Sequence, residues 1–144
     1  MVIALANLTA WASSQGRILK VLPHFLDAEG RVSLAPSLFQ RDAYQARLRQ
    51  HPELVSSVRY DVNCKTARSS RKDLKLRLTL RTALRAETDP LVLESTINGG
   101  VFRRSWQSIQ LEPAVYRAAG AVLAWRVELL EGTNLVATQQ SFLW

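Results

Sequence analysis

Apolar and polar residues alternate along most of this chain. From Leu74 to Arg85, Leu74, Leu76, Leu78, Leu80 and Leu84 fall on one side of a two-residue period, with Lys75, Arg77, Arg81 and Arg85 on the other. A strand with one face in a core and the other in water carries this pattern. Val55–Lys65 reads the same way: Val58, Tyr60, Val62 and Cys64 point inward, and Arg59, Asp61, Asn63 and Lys65 point outward. Leu91–Ile97 and Val101–Leu111 read as two further strands, joined by a hairpin turn at Asn98-Gly-Gly100. Ala121–Leu130 and Leu135–Trp144 flank Glu131-Gly-Thr-Asn134, which predicts a second hairpin with Leu123, Trp125, Val127 and Leu129 facing in. The apolar Phe142-Leu143-Trp144 is expected to be tied into the sheet and core.

The first third of the chain is more mixed. Arg17–Leu26 predicts a strand, which Pro23 places at a sheet edge or on a bulge. A turn follows at Asp27–Gly30, and Arg31–Leu34 is expected to return as a short strand. Ser37 with Gln40 matches a capping box, and Pro52 lies just past the expected end, so a short helix is predicted over residues 37–50. Tyr44, Ala46 and Leu48 also alternate with polar residues, which leaves an edge strand as the competing reading. The whole pattern predicts one mainly β domain over residues 16–144. Its expected form is an antiparallel β-sandwich of seven to nine strands with one short helix.

Composition adds a direction. The chain has 144 residues, 47% of them apolar, and 19 Lys and Arg against 12 Asp and Glu, a formal net charge of +7. An apolar content this high argues against disorder. No run of about 18 apolar residues is present, so no transmembrane helix is expected. The positive charge favours anionic partners such as nucleic acid, anionic lipid head groups or acidic polymers. If the 55–65 and 74–85 strands pair across the polar loop 66–73, then Arg59, Lys65, Lys75, Arg77, Arg81 and Arg85 share one outer face. Arg68, Arg71 and Lys72 would stand at its tip. Such a face could neutralise several phosphates, although no aromatic residue interleaves its charges. Outward Lys and Arg also discourage edge-to-edge pairing.

Little points to catalysis. Cys64 is the only cysteine, and its place on the apolar side of its strand reads as a small buried hydrophobe. The two histidines, His24 and His51, have no nucleophile near them in sequence, and Gly-x-Ser-x-Gly is absent. Asp27 and Glu29 read as turn residues, and no phosphate-cradling glycine loop occurs. No catalytic, cofactor-binding or metal-binding residue is assigned. The expected role is a non-catalytic binding or assembly module, acting through the basic face or an edge strand on a protein partner or an anionic polymer. The alternative is an intracellular nucleic-acid-binding protein.

Residues 1–15 form an uncharged apolar segment ending in Ala10-Trp11-Ala12, similar to the cleavage end of a secretory signal peptide but without a basic start. A mature chain beginning near Ser13 is one expectation and an extra packed element is the other. Periplasmic export, including a place in the bacterial cell envelope, and a cytoplasmic location both stay open. Leu111-Glu-Pro-Ala-Val-Tyr116, just before the penultimate strand, resembles the tyrosine corner of immunoglobulin and fibronectin type III domains. That resemblance implies a phenol hydroxyl bonded to nearby backbone where the chain crosses between sheets.

Overall fold

The computed structural model describes residues 16–66, 74–97 and 104–144. Seven strands lie in the described residues: β1 (Gly16–Leu26), β2 (Ser57–Thr66), β3 (Leu74–Thr82), β4 (Leu91–Ile97), β5 (Arg104–Gln110), β6 (Val122–Glu131) and β7 (Asn134–Gln140). Helix α1 (Leu38–Gln50) sits between β1 and β2, and helix α2 (Pro113–Ala119) between β5 and β6. All pairing is antiparallel. One sheet has the order β1-β2-β5 and the other the order β4-β3-β6-β7. The protein is therefore a mainly β sandwich.

The alternating strands meet across the core. Val58, Tyr60, Val62 and Cys64 of β2 face Leu74, Leu76, Leu78 and Leu80 of β3, with Val127 and Leu129 of β6 beside them. All ten are at most 4% exposed. Each strand is thus half-buried, as its period requires.

One expectation about this pair fails. β2 and β3 do not pair with each other. β2 is the centre of the three-stranded sheet, and β3 takes β4 and β6 as its neighbours. The alternation is the same for adjacent strands of one sheet and for facing strands of two. Here the inner faces meet, so the outer faces point in opposite directions. Nor do β4 and β5 form a hairpin, since they belong to different sheets. The expected turn at Asn98-Gly-Gly100 lies outside the described residues, as do Arg68, Arg71 and Lys72 and the whole 1–15 segment.

Helix α1 forms as expected. The Ser37 hydroxyl accepts from the Gln40 amide at 3.1 Å, satisfying one of the orphan donors of the first turn. Arg31–Leu34 is not a strand: the segment bends. It is held by Asp27, whose carboxylate accepts from the Glu29 and Arg31 amides, the Arg31 Nε and the Tyr44 hydroxyl. Helix α2 was not read from the sequence, although Pro113 at its first turn and Gly120 after its last are ordinary helix boundaries. Gly120 has φ +79° and lies against the Leu84 side chain, so its position demands both the left-handed conformation and the absence of Cβ. Tyr116 lies within α2 and does not make the expected corner. Its hydroxyl forms no hydrogen bond among the described residues, and burial raises its pKa.

The last residues also depart from expectation. Phe142 and Leu143 are 101% and 71% exposed. Only Trp144 folds back, onto the outer face of the four-stranded sheet, with the guanidinium groups of Arg81 and Arg126 each 4.4 Å from its ring. The turn is secured by Ser141, which donates its amide to the Trp125 carbonyl and accepts the Trp125 amide on its hydroxyl. Leu123 and Leu84, both expected inside, are exposed. A register shift between Arg81 and Thr82, opposite Val122–Ala124, interrupts the alternation there, and β3 ends at Thr82 before Leu84 is reached.

Candidate functional site

The six cations expected to share a face are divided between two. Lys75, Arg77 and Arg81 lie on the outer face of the four-stranded sheet, and Arg85 lies beyond the end of β3. Arg59 and Lys65 lie on the outer face of the three-stranded sheet, on the opposite side of the molecule.

The first group is matched by carboxylates. Register sets Arg77 between Glu94 of β4 and Glu128 of β6, at 3.0 and 3.9 Å. Lys75 reaches Glu94 at 3.5 Å, Arg81 reaches Glu87 at 3.5 Å, and Arg85 reaches Asp89 at 2.9 Å. Hydrogen bonding from Arg77 and the charge of Lys75 hold the Glu94 carboxyl below its ordinary pKa. The pairs of Arg77 and Lys75 are cross-strand, and those of Arg81 and Arg85 reach the segment between β3 and β4. Such exposed pairs stabilise the fold modestly and offset most of the charge of this face, where Arg126 has no carboxylate partner among the described residues.

The outer face of the three-stranded sheet differs. Its central strand places Lys65 directly between Arg17 of β1 and Arg104 of β5. All three side chains are exposed, and none has a carboxylate partner among the described residues. The next row along the strands is Lys20–Asn63–Trp106. Trp106 is 52% exposed, so an indole stands on the surface beside the cations. Asn63 is buried, and its Oδ1 accepts from Arg104 Nε at 3.4 Å. This orients the guanidinium and leaves its terminal nitrogens without a protein partner among the described residues.

Further down the same face, Asp61 gathers a polar network. Its Oδ2 lies 3.3 Å from His24 Nε2 and 3.0 Å from an Arg59 terminal nitrogen, and its Oδ1 accepts from the Ser108 hydroxyl. Burial raises the Asp61 pKa, but the bonds from His24, Ser108 and Arg59 outweigh it and hold the carboxyl far below the usual carboxylate range. A serine, a histidine and an aspartate thus come together from three strands. The order is wrong for nucleophilic catalysis, because the carboxylate sits between serine and histidine, whereas an activated nucleophile needs the base beside it. Asp61 holds the buried His24 and the Ser108 hydroxyl and compensates Arg59. It leaves Arg17, Lys20, Lys65 and Arg104 without a carboxylate partner among the described residues.

Cys64 is on the other side of β2 from this network, 1% exposed, and burial pushes its thiol up to about 11. It is not paired with either histidine: His24 bonds Asp61 on the outer face, and His51 lies 3.0 Å from Glu53 beyond α1. Sequence reading missed Arg17, Lys20, Arg104 and Trp106. Each is an outward residue on a strand, but only the register brings them to Lys65. Comparisons with known protein families, with curated proteins and with solved structures returned no match.

Proposed function

We propose that the chain is a non-catalytic binding module that engages an anionic polymer through the outer face of its three-stranded sheet. The observation that carries this reading is the row Arg17–Lys65–Arg104, three like charges at directly opposed cross-strand positions. Like charges so placed cost stability. On the other sheet the central cation, Arg77, instead has a glutamate at the register position on each side. A row with no carboxylate partner among the described residues, with Lys20 in the next row, suits a surface whose counter-charge comes from a ligand. The strand order 1-2-5 and 4-3-6-7 supports an immunoglobulin-type reading of the sandwich, with β4 beside β3. Function rests on the face, not on that likeness.

Retention on immobilised heparin tests the reading. The protein should bind at low salt and elute as salt rises, because each neutralised anion releases counterions. Lys65→Glu with Arg104→Glu should abolish retention, whereas Arg81→Ala should leave it nearly unchanged. Flow-through of the wild type near 0.1 M salt, or equal losses from both faces, would refute it.

A second reading has its own observation. β7 is an edge strand of the four-stranded sheet without a charged residue or proline, and with no strand paired to its outer edge among the described residues it could accept a partner strand. Ala137→Pro would then disrupt an assembly seen on sizing, with heparin retention intact.

A further inference from the structure

We propose that the anionic polymer is a single-stranded nucleic acid, with one of its bases stacked on Trp106. This inference rests on the polyanion reading of the same face and narrows it to one ligand class. The charged row alone would suit any polyanion. Trp106 is the feature that separates them. It stands on β5 at the position opposite Asn63 and two residues from Arg104, half-exposed among cations.

The spacing fits one nucleotide to both features. Three adjacent strands carry Arg17, Lys65 and Arg104, so the row spans about 10 Å across the sheet. Trp106 lies one same-face step, about 7 Å, along β5 from Arg104. A strand whose phosphates follow the row can therefore turn a base down the sheet onto the indole. The Asn63 bond to Arg104 Nε directs that guanidinium outward from the same corner. Lys20, opposite Asn63 on the β1 side, supplies a further phosphate contact.

Other polyanions satisfy only half of this surface. A sulfated polysaccharide has charge but offers the indole only the C–H faces of its sugar rings, not a π-face to stack. A duplex has phosphates, but its bases already stack on one another inside the helix. Aromatic stacking with a basic groove is the general means of holding single strands without reading sequence. The ligand preference should follow base stacking strength, with no strict sequence requirement.

The test uses the full chain and three probes: a fluorescently labelled 20-nucleotide single-stranded oligothymidine, a duplex of the same length, and heparin as competitor. Anisotropy titrations at one low salt concentration should show tighter binding to the single strand than to the duplex. Trp106→Ala should weaken single-strand binding by roughly 5- to 150-fold, the loss of one stacked base. It should leave heparin binding and the salt slope in place. Trp106→Phe should recover most of the affinity, which separates stacking from loss of fold, and thermal melts should confirm that both variants are folded. Lys65→Glu should weaken all three probes and flatten the salt slope.

Each result decides. Unchanged single-strand affinity in folded Trp106→Ala, or a preference for duplex, overturns the stacking proposal while heparin binding keeps the polyanion reading alive. No binding of wild type to any probe overturns both.

Discussion

The side-chain amide of Gln45 is hydrogen-bonded to both backbone groups of Phe25. Its Oε1 accepts from the Phe25 amide at 2.7 Å, and its Nε2 donates to the Phe25 carbonyl at 2.9 Å and to the Val32 carbonyl at 2.8 Å. β1 is an edge strand, and unpaired edges invite pairing with another chain. One helical residue thus occupies the ladder position that an intruding strand would take. Gln45→Leu should lower stability by about 1–3 kcal/mol, since it leaves buried groups unsatisfied. Urea unfolding measures the loss, and sizing should show concentration-dependent association. Gln45→Glu should be worse at pH 7 than at pH 4, because an ionised carboxylate faces two carbonyls and its protonation restores a donor.

Acid should act partly through Asp27. Burial raises its pKa, but bonds from Tyr44 and Arg31 prevail and bring it from 3.8 to about 2. A depressed carboxylate contributes stability that is present above the unfolded pKa and is lost as pH falls through the folded one. Tyr44→Phe removes the 2.7 Å hydroxyl bond. It should cost about 1.5–3 kcal/mol at pH 7, the range for bonds to charged groups. The gap between wild type and variant should narrow between pH 4 and pH 2. Carboxyl NMR titration should show the Asp27 pKa rising in the variant; an unmoved value would contradict the assignment.

Two neighbours on β6 should behave differently. Trp125 packs on the core with its ring edge-to-face to Tyr60, centroids 6.0 Å apart, whereas Leu123 is 58% exposed. Trp125→Ala should cost about 3 kcal/mol. Leu123→Ala should fall within about 0.5 kcal/mol of wild type. Chemical denaturation of both variants checks the faces of the strand.

Cys64 should be inert in the folded protein. With its thiol pushed up to about 11 and almost no exposed surface, little thiolate exists at pH 8 and no reagent reaches it. Labelling by a thiol reagent at pH 8 should be slow in buffer and fast in denaturant. Fast native labelling would mean that the core opens at β2.

Much of the fold was legible because half-burial writes a two-residue period into a strand. Leu74–Leu80 and Val58–Cys64 face inward as read, and the Ser37 cap marks the start of α1. The Glu131–Asn134 turn joins β6 to β7 as expected, with Gly132 at φ +59°. Helix α2 was missed because seven residues carry too few turns to show a period against the strands around them. Leu123 was misplaced because a register shift reverses the alternation at one point, and no composition marks it.

The candidate site was only partly legible. Which residues are outward-facing cations follows from local alternation for Arg59, Lys65, Lys75, Arg77 and Arg81, but not for Arg85, which lies beyond the end of β3. Which cations stand together depends on sheet membership, a non-local property that alternation cannot encode. Strands side by side in one sheet and strands facing each other across a core bury the same residues. The chain by itself determined a basic, half-buried set of strands and a capped helix. The tertiary structure alone decided that Glu94 and Glu128 would flank Arg77 on one face, and that Arg17, Lys65, Arg104 and Trp106 would meet on the other. Cross-strand neighbours come from distant parts of the chain, and only their packing into two sheets selects them.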